Sequence, residues 1–256
     1  LSVISCTFTS CSSPVEFDAG GAIHILGNSS NYMSYEIDDC QFISCESADY
    51  AGAFYARQAN GLIMNTSFID CSAALGGACE LREGASVIYE CVFQGNSTTS
   101  HGGAIRVYHD DADITIEDSS FDGNQAGTGS AIYQSEGDVT LNNCEITNNI
   151  STARHGCLHL RDNDVVAIIE VSGCRFSGNE TAVGCAGISG DAVVNLTVTD
   201  SVICDHAQDG DIAIAYTDGG DNDLGNWCCP GDVDGDGDVD ADDLGTLLAG
   251  YGDASL

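Results

Sequence analysis

Basic residues are nearly absent from this 256-residue chain. It contains no lysine and six arginines against 40 aspartate and glutamate residues, which gives a formal net charge of −34 at pH 7. Because phosphate groups bind to cationic surfaces, this composition excludes nucleic acid as a partner. An acidic surface of this kind suits calcium binding, a saline environment or simple solubility instead.

Long apolar runs are absent as well. No segment approaches the roughly 18 apolar residues of a membrane-spanning helix, so the sequence predicts no membrane span. The first residues lack the basic and apolar regions of a secretory signal peptide, and we interpret the chain as a mature form. No window before residue 225 has the apolar period of an amphipathic helix, which excludes a helical domain there.

What the chain does have is an internal repeat with a period of about 26 residues, which is typical of folds built from stacked units. One repeated phrase is Gly-Gly-Ala followed by an aliphatic residue, and it occurs, with weaker copies, at residues 20–23, 51–54, 76–79, 102–105, 129–132 and 155–158. The other is Cys-x-Phe-x-x-Cys or Phe-x-x-Asn, at residues 6–11, 40–45, 93–96, 121–124 and 176–179. Each unit needs a stacked neighbour to bury its apolar side.

Within each unit, apolar and polar residues alternate, as at residues 105–107 and 114–116. A period of two is typical of half-buried strands, and the segments between them are rich in Gly, Asn, Asp and Ser. Three short strands in about 26 residues fit a parallel β-helix, whereas a propeller blade needs about 40 residues. We therefore predict an all-β, right-handed parallel β-helix of about eight three-strand coils over residues 1–224, followed by a tail over residues 225–256.

Stacked coils place equivalent residues in columns. One predicted inward column is an aromatic spine formed by Phe8, Phe42, Phe68, Phe93, Phe121, Ile146 and Phe176. A second is an asparagine ladder at a bend, with amides bonded from coil to coil, formed by Asn96, Asn124, Asn149 and Asn179. In the first three coils this column holds Cys11, Cys45 and Cys71 instead. Core packing is the expected role of both columns.

The alternation of Gly-Gly-Ala-Ile with Phe-x-x-Asn resembles the repeats of bacterial polymorphic outer-membrane proteins. The resemblance covers about residues 1–215. It implies a β-helical passenger with a surface or adhesive role.

Fourteen cysteines without a CxxC-type zinc pattern indicate an oxidising compartment, so we expect an extracellular or cell-surface protein. Aligned Cα atoms of adjacent coils lie about 4.8 Å apart, a distance that a disulfide can bridge. Shared columns predict the inter-coil disulfides Cys6–Cys40, Cys144–Cys174 and Cys157–Cys185. Pairing within a coil, such as Cys6–Cys11, is the alternative. The column Cys11–Cys45–Cys71 holds one cysteine too many for complete pairing.

Six Asn-x-Ser/Thr sequons occur in the chain. Three of them lie in the predicted asparagine ladder, where a glycan could not be attached. Asn28 and Asn65 are the better candidates for glycosylation.

The composition changes abruptly after Pro230, where aspartate and glycine dominate. With Asp232 counted as position 1, carboxylates fall at positions 1, 3, 5, 9 and 12, which are Asp232, Asp234, Asp236, Asp240 and Asp243. Gly237 provides the turn at position 6 and Asp238 offers its backbone carbonyl at position 7. This spacing is typical of an EF-type loop, so we predict that the tail binds one Ca²⁺ and continues into a short helix at Leu244.

Aspartate at position 12, followed by Leu-Gly-Thr-Leu-Leu, resembles one half of a type I dockerin. The resemblance implies that the tail anchors the chain to a cohesin-like or cell-surface partner. A full dockerin has two such halves, whereas this chain has one.

The outward side of the Gly-Gly-Ala strand is the candidate ligand face. Its predicted stack consists of His24, Tyr55, Glu80, Arg106, Tyr133 and His159, and two residues further along the strand lie Arg57, Arg82 and Arg161. Four of the six arginines thus follow one stripe. These side chains either only pair and stack with one another or bind a glycan or a partner protein.

An enzyme is the least favoured interpretation. A lyase needs a cationic base beside an acidic sugar, and the chain has no lysine. A hydrolase needs two carboxylates about 5–10 Å apart in a cleft, and no such pair and no long cleft-forming loop stands out.

The chain enters a strand at its first residues, without a capping helix. An uncapped coil offers unpaired strand edges to another molecule, which predicts end-to-end association into filaments, unless a longer precursor was trimmed. Our leading interpretation is a secreted, disulfide-stabilised, calcium-binding β-solenoid with a structural or cell-surface role that assembles end to end. The alternative is a surface adhesin or glycan-binding module anchored by its tail, and a polysaccharide lyase or hydrolase is third.

Overall fold

The computed structural model describes residues 1–14, 19–161, 167–183, 185–190, 194–204 and 212–224, which contain β-strands and no helix. The strands of the first half are β1 (Ser2–Ile4), β2 (Thr7–Thr9), β3 (Ser12–Ser13), β4 (Ile23–Leu26), β5 (Met33–Asp38), β6 (Gln41–Ile43), β7 (Glu46–Ser47), β8 (Phe54–Arg57), β9 (Ala59–Met64), β10 (Ser67–Ile69), β11 (Ser72–Ala73), β12 (Cys79–Tyr89), β13 (Val92–Gln94), β14 (Ser97–Thr98) and β15 (Ile105–Glu117). Those of the second half are β16 (Ser120–Asp122), β17 (Gln125–Ala126), β18 (Ile132–Ser135), β19 (Asp138–Asn142), β20 (Glu145–Thr147), β21 (Ile150–Ser151), β22 (Leu158–Arg161), β23 (Ile168–Ser172), β24 (Arg175–Ser177), β25 (Glu180–Thr181), β26 (Ile188–Gly190), β27 (Asn195–Thr199), β28 (Val202–Ile203), β29 (Tyr216–Asp218) and β30 (Asp223–Leu224).

These strands form three parallel sheets. Sheet A has 14 strands, sheet B runs β2-β6-β10-β13-β16-β20-β24-β28-β30, and sheet C runs β25-β21-β17-β14-β11-β7-β3. The chain crosses sheets A, B and C in turn and then returns to sheet A one layer further along. The architecture is therefore an all-β, right-handed parallel β-solenoid, as the repeat pattern predicted.

The number of turns differs from the prediction. The described residues form about six turns, whereas the sequence suggested about eight. Sheet C, with its seven strands, ends at β25, while β28 and β30 extend sheet B beyond it. The predicted eight coils included the segments of β26 to β30. These segments contribute strands to sheets A and B but no described strand to sheet C.

Sheet A has more strands than one per coil because the backbone bends within it. In most coils this stretch is split into two strands, such as β4 and β5 or β18 and β19. In β12 and β15 the strand continues through the bend, and the register between them shifts between Arg82 and Gly84. The predicted three strands per coil therefore apply to these two coils, whereas the coils that begin at β4, β8, β18 and β22 have four.

Two sharp corners separate the sheets, and the sequence explains both. Corner 1, between sheets A and B, and corner 2, between sheets B and C, each contain a residue with φ between 49° and 64°. The left-handed residues are Ser5, Asp39, Asn65, Glu90, Asp118, Asn143, Gly173 and Asp200 at corner 1, and Ser10, Ser44, Asp70, Gly95, Gly123, Asn148 and Gly178 at corner 2. Glycine, asparagine and aspartate tolerate this conformation best, which accounts for their frequency at these positions.

The predicted aromatic spine is confirmed. Phe8, Phe42, Phe68, Phe93 and Phe121 stack with ring centroids 4.8–4.9 Å apart and interplanar angles of 3–4°. Ile146 and then Phe176 continue the column in register. The spine lies inside sheet B and forms the centre of the hydrophobic core.

The asparagine ladder is confirmed as well. Asn96, Asn124, Asn149 and Asn179 are fully buried. The Asn124 side chain donates hydrogen bonds to the Phe93 carbonyl at 3.0 Å and to the Asn149 Oδ1 at 2.9 Å. Since each amide also satisfies the backbone of the preceding coil, the ladder joins coil to coil at corner 2.

Candidate functional site: a cationic cavity on sheet A

The strand register places the candidate ligand face in two columns. His24, Tyr55, Glu80, Arg106, Tyr133 and His159 occupy directly paired positions on successive strands. The second column contains Arg57, Arg82, Tyr108, Ser135 and Arg161. The alignment predicted from the sequence is therefore present, and its members differ widely in exposure.

The Gly-Gly-Ala phrase brings the preceding turn close to these columns. Gly102 adopts a φ of 74°, which turns the chain into the strand. A Cβ atom on Gly103 would lie 2.0 Å from the Ser130 carbonyl oxygen of the next coil, so only glycine permits this approach. The repeated glycines thus pack the turns of successive coils against one another beside the ligand face.

The middle of the face is an ion-pair network. Glu80 is fully buried, and its Oε1 accepts a hydrogen bond from Arg106 Nη1 at 2.9 Å and lies 3.6 Å from Arg82 Nη1. Both guanidinium groups also lie over the Tyr108 ring, at 4.6 Å for Arg82 and 4.5 Å for Arg106. Burial raises the pKa of Glu80, and the two arginines oppose that shift. In this part of the ligand face, the side chains therefore pair and stack with one another, which is the first of the two predicted roles.

Arg57 also forms an ion pair, in which its Nε donates to Glu83 Oε1 at 2.8 Å. His24 is exposed and makes an edge contact with Tyr55, whose ring centroid lies 5.0 Å away. Tyr55 itself is buried together with Ala19 and Ala51 in a small cluster outside the main core. The first coils of the face are therefore packed rather than open.

The later coils contain an open cavity of about 220 Å³. Seven of the residues that the structure describes line it: His101, Thr128, Tyr133, Arg154, His155, His159 and Arg161. Three of these are histidines and two are arginines, and no carboxylate is among them. In a chain with a net charge of −34, this is an unusual concentration of positive charge. We call this site the cationic cavity.

The aromatic and imidazole rings of the cavity are in mutual contact. Tyr133 lies between His101 and His159, with ring centroids 4.4 Å and 5.4 Å away. His155 stacks on His159 at 4.2 Å, and His159 Nδ1 lies 3.1 Å from Ser189 Oγ. These contacts fix the orientation of the rings without a bound ligand.

Two arginines place positive charge beside His101. The pKa of His101 lies below its ordinary value because of burial first and then the positive charges of Arg106 and Arg161. Arg161 Nη1 also donates to the Tyr133 hydroxyl at 3.5 Å. An anion entering the cavity would offset these repulsions, so the site is arranged to accept negative charge.

Sequence reasoning found Tyr133, His159 and Arg161 but missed His101, Thr128, Arg154 and His155. These four belong to the turns that precede the Gly-Gly-Ala strand. A signal existed in the sequence for His155, because a histidine stands there at the position where other coils have the first glycine of the phrase, such as Gly129.

Two larger cavities lie along sheet C, with volumes of about 330 and 310 Å³. Their described linings are mostly serine, threonine and alanine, and Glu46 is the one charged residue among those described there. Since they offer few groups that could orient a ligand, we regard the smaller cationic cavity as the candidate site.

The predicted calcium ligands, Asp232 to Asp243, lie outside the described residues, and so does the rest of the tail from residue 225. Among the described residues, His109, Asp110 and Asp111 bring ligand atoms within 4.8 Å of one another. This group is largely solvent-exposed, and exposed acidic groups commonly cluster without a metal. Calcium binding stays a prediction for the tail.

Both candidate glycosylation sites are solvent-exposed. Asn28 pairs with Asn31 in a local bridge. The Asn65 side-chain nitrogen donates to Asp38 Oδ1 at 2.9 Å, and a glycan on it would have to replace that bond. Glycosylation at either position stays a prediction.

The cysteine pairs differ in alignment. Cys6 and Cys40 occupy equivalent positions at corner 1 of adjacent coils, as do Cys144 and Cys174. The backbone N–H of Cys144 lies 3.4 Å from Cys174 Sγ. The disulfides at these positions stay predictions.

The third pair does not share a column. Leu158 pairs with Ile188, which places Cys157 level with Gly187 and two residues past Cys185. The shared register assumed for Cys157 and Cys185 is therefore wrong, although both are buried in neighbouring coils. From Leu158 to its partner Ile188 the coil spans 30 residues, which is longer than the repeat period of about 26, so Gly187 and not Cys185 is aligned with Cys157.

Corner 1 also shows what buried cysteines do as thiols. Its inward column reads Cys6, Cys40, Thr66, Cys91, Ser119, Cys144, Cys174 and Ser201. The Cys91 thiol lies 3.3 Å from the Tyr89 carbonyl, and the Ser119 hydroxyl donates in the same way to the Glu117 carbonyl at 2.8 Å. Cysteine, serine and threonine thus serve as interchangeable small donors in this column.

The described residues contain no helix with the length and apolarity of a membrane span. Comparison with curated proteins and with solved structures gave no match. The family model of the right-handed β-helix region matches residues 1–168, about two thirds of the chain. Together with the three parallel sheets, this match shows that the chain belongs to the right-handed β-helix family.

Proposed function

We propose that the protein is a secreted, surface-exposed β-solenoid that binds an acidic glycan in its cationic cavity. The observation that carries the proposal is the distribution of charge. Two of the six arginines and three of the six histidines line one cavity of a chain with a net charge of −34. A local positive site on an acidic surface attracts one anionic group while the surroundings repel extended polyanions.

The size and chemistry of the cavity suit a single sugar unit. Its volume of about 220 Å³ is below the range of about 300–1,000 Å³ that drug-sized ligands need. Guanidinium groups bind carboxylates and sulfates through paired hydrogen bonds, and Tyr133 offers a ring and a hydroxyl. The expected ligand is therefore a uronate or sulfated residue within an otherwise neutral glycan.

A right-handed β-helix is compatible both with a structural or surface role and with a polysaccharide-active enzyme. A hydrolase needs two carboxylates about 5–10 Å apart at the scissile bond. The described residues that line the cationic cavity include no carboxylate. This composition favours binding over hydrolysis. A lyase does not need a pair of carboxylates, and the experiment below distinguishes a lyase from a binding site.

The test is calorimetric titration with a short oligosaccharide that has one uronate, compared with its neutral counterpart of equal length. Removal of one arginine that meets the anion should weaken binding about 10- to 100-fold, the range for hydrogen bonds to charged groups. Arg154→Gln and Arg161→Gln are the test variants. Arg175→Gln is the matched control, because Arg175 is exposed on sheet B and the charge change is the same.

Equal affinity for the neutral sugar, or an equal loss in the control variant, would contradict the proposal. Release of an unsaturated sugar during the titration would identify the site as that of a lyase.

The remaining parts of the proposed function come from the sequence. We propose that the tail binds one Ca²⁺ and anchors the solenoid to a cohesin-like or cell-surface partner. End-to-end assembly is a further proposal about how the solenoid is displayed.

A further inference from the structure

Three cysteines follow one another along corner 2 of the first three coils. The Cys11 carbonyl accepts the Glu46 N–H at 2.8 Å, and the Cys45 carbonyl accepts the Ser72 N–H at 2.9 Å, which fixes the three residues in register. The Cys45 thiol contacts both the Cys11 thiol and the Cys71 thiol. We call this arrangement the thiol column.

The thiol column begins and ends at defined places. Cys45 and Cys71 are fully buried, whereas Cys11 is half-buried. Beyond Cys71 the same column continues as asparagine, and Asn96 Oδ1 accepts the Cys71 N–H at 2.9 Å. The buried end of the column is therefore closed by an amide, and Cys11 is the member within reach of solvent.

Three thiols in one column can form only one disulfide at a time. Adjacent coils are about 4.8 Å apart, within the Cα separation of about 4.4–6.8 Å that a disulfide spans. Cys45 is in contact with both neighbours, so it can bond either to Cys11 or to Cys71. In either case, the third sulfur lies beyond the bonded pair along the column, which is the direction of attack in thiol–disulfide exchange.

We propose that the thiol column is a thiol–disulfide exchange site, in which Cys11 reacts with a small-molecule disulfide and Cys45 then transfers its bond from Cys11 to Cys71. In the first step the Cys11 thiolate attacks the small disulfide, forming a mixed disulfide and releasing one small thiolate. Cys45 next attacks the Cys11 sulfur, which releases the second small thiolate and forms Cys11–Cys45. Two protein thiols have then been oxidised by two electrons, and one small disulfide has been reduced to two thiols.

The last step is internal and redox-neutral. The Cys71 thiolate attacks the Cys45 sulfur, the Cys45–Cys71 bond forms, and Cys11 leaves as a thiolate that takes the proton released by Cys71. The product disulfide lies between two fully buried residues. It joins the second and third coils and can be reduced only through Cys11.

The electrostatics of the column favour the second step, the attack by Cys45. A hydrogen bond from the Cys71 thiol lowers the pKa of Cys45 to about 6, although burial opposes the shift. Burial raises the pKa of Cys11. This shift favours the thiolate form of Cys45, which suits its role as the nucleophile towards a mixed disulfide on Cys11.

The experiment oxidises the full chain with glutathione disulfide, quenches it with acid at intervals and maps the linkages by mass spectrometry. The unmodified protein should show Cys11–Cys45 early and Cys45–Cys71 late. Cys71→Ser should stop at Cys11–Cys45, and Cys45→Ser should accumulate glutathione on Cys11. In Cys11→Ser, the Cys45–Cys71 bond should form at least roughly tenfold more slowly, because both remaining thiols are buried.

Cys91→Ser is the matched control, since Cys91 is equally buried but lies between Thr66 and Ser119 at corner 1. It should leave the time course unchanged, and circular dichroism checks that every variant folds. Oxidation of Cys11→Ser at the rate of the unmodified protein would overturn the proposal. So would a map in which Cys11 is linked to Cys6, or in which Cys45 never changes partner.

Discussion

Replacement of Asn124 by alanine tests whether the buried amides hold the coils together. Asn124 is fully buried, and its Oδ1 accepts bonds from the Asn96 backbone N–H and side-chain amide, each at 3.0 Å. Its Nδ2 donates to the Phe93 carbonyl at 3.0 Å. Alanine removes all of these bonds and leaves the Asn96 N–H buried without its partner.

A buried backbone N–H without a partner costs about 1–3 kcal/mol, and each of the two other lost hydrogen bonds costs about 0.5–1.5 kcal/mol, so Asn124→Ala should lower the free energy of unfolding by about 2–6 kcal/mol. With an m-value of about 3 kcal/mol per molar urea, the midpoint of unfolding should fall by about 0.7–2 M. Equilibrium urea unfolding followed by circular dichroism of the β-structure measures this shift. Asn124→Cys should lower the free energy of unfolding by only about half as much, because a thiol can donate and accept hydrogen bonds. In the same column, the Cys71 thiol donates to the Phe42 carbonyl.

The control is Gln125→Ala, which deletes an exposed amide one residue further along the chain. It should change the free energy of unfolding by less than about 0.5 kcal/mol. If Asn124→Ala unfolds at the same urea concentration as this control, the ladder contributes no net stability. If Asn124→Cys is as unstable as the alanine variant, the asparagine and cysteine of this column are not equivalent.

The other predictions concern calcium, disulfides, pH and assembly. Calorimetry should detect one Ca²⁺ per chain, and Asp236→Ala combined with Asp243→Ala should abolish this binding. Peptide mapping of the secreted protein without reductant should find Cys144 linked to Cys174, while Cys91 stays a thiol, because its column neighbours are Thr66 and Ser119. Glycan affinity should rise as the pH falls from about 8 to about 5, because a bound anion raises the pKa of the cavity histidines, and a flat pH profile would exclude their part in binding. Sedimentation at increasing concentration with calcium should show end-to-end species, and a protein that stays monomeric would refute assembly.

The sequence alone was sufficient for the fold and for two of its internal columns. Alternation with a period of two predicts strands, and the repeated phrases predict that they stack in parallel. Because stacking places each coil on its neighbour, Phe93 must lie over Phe121 and Asn96 over Asn124, as the structure shows. The ligand face could be predicted for the same reason, since Arg106, Tyr133 and His159 lie on successive copies of one strand.

Only the tertiary structure revealed the cationic cavity and the misalignment of Cys157 and Cys185. Hydrogen bonds between parallel strands fix the register within each sheet, but the turns between sheets vary in length from coil to coil. A turn residue such as His101 or Arg154 therefore has no position that the repeat period could predict. The surroundings of a side chain also depend on the turns. Glu80 and His159 lie in the same column of sheet A, but the packing of neighbouring turns encloses Glu80 and leaves a cavity beside His159.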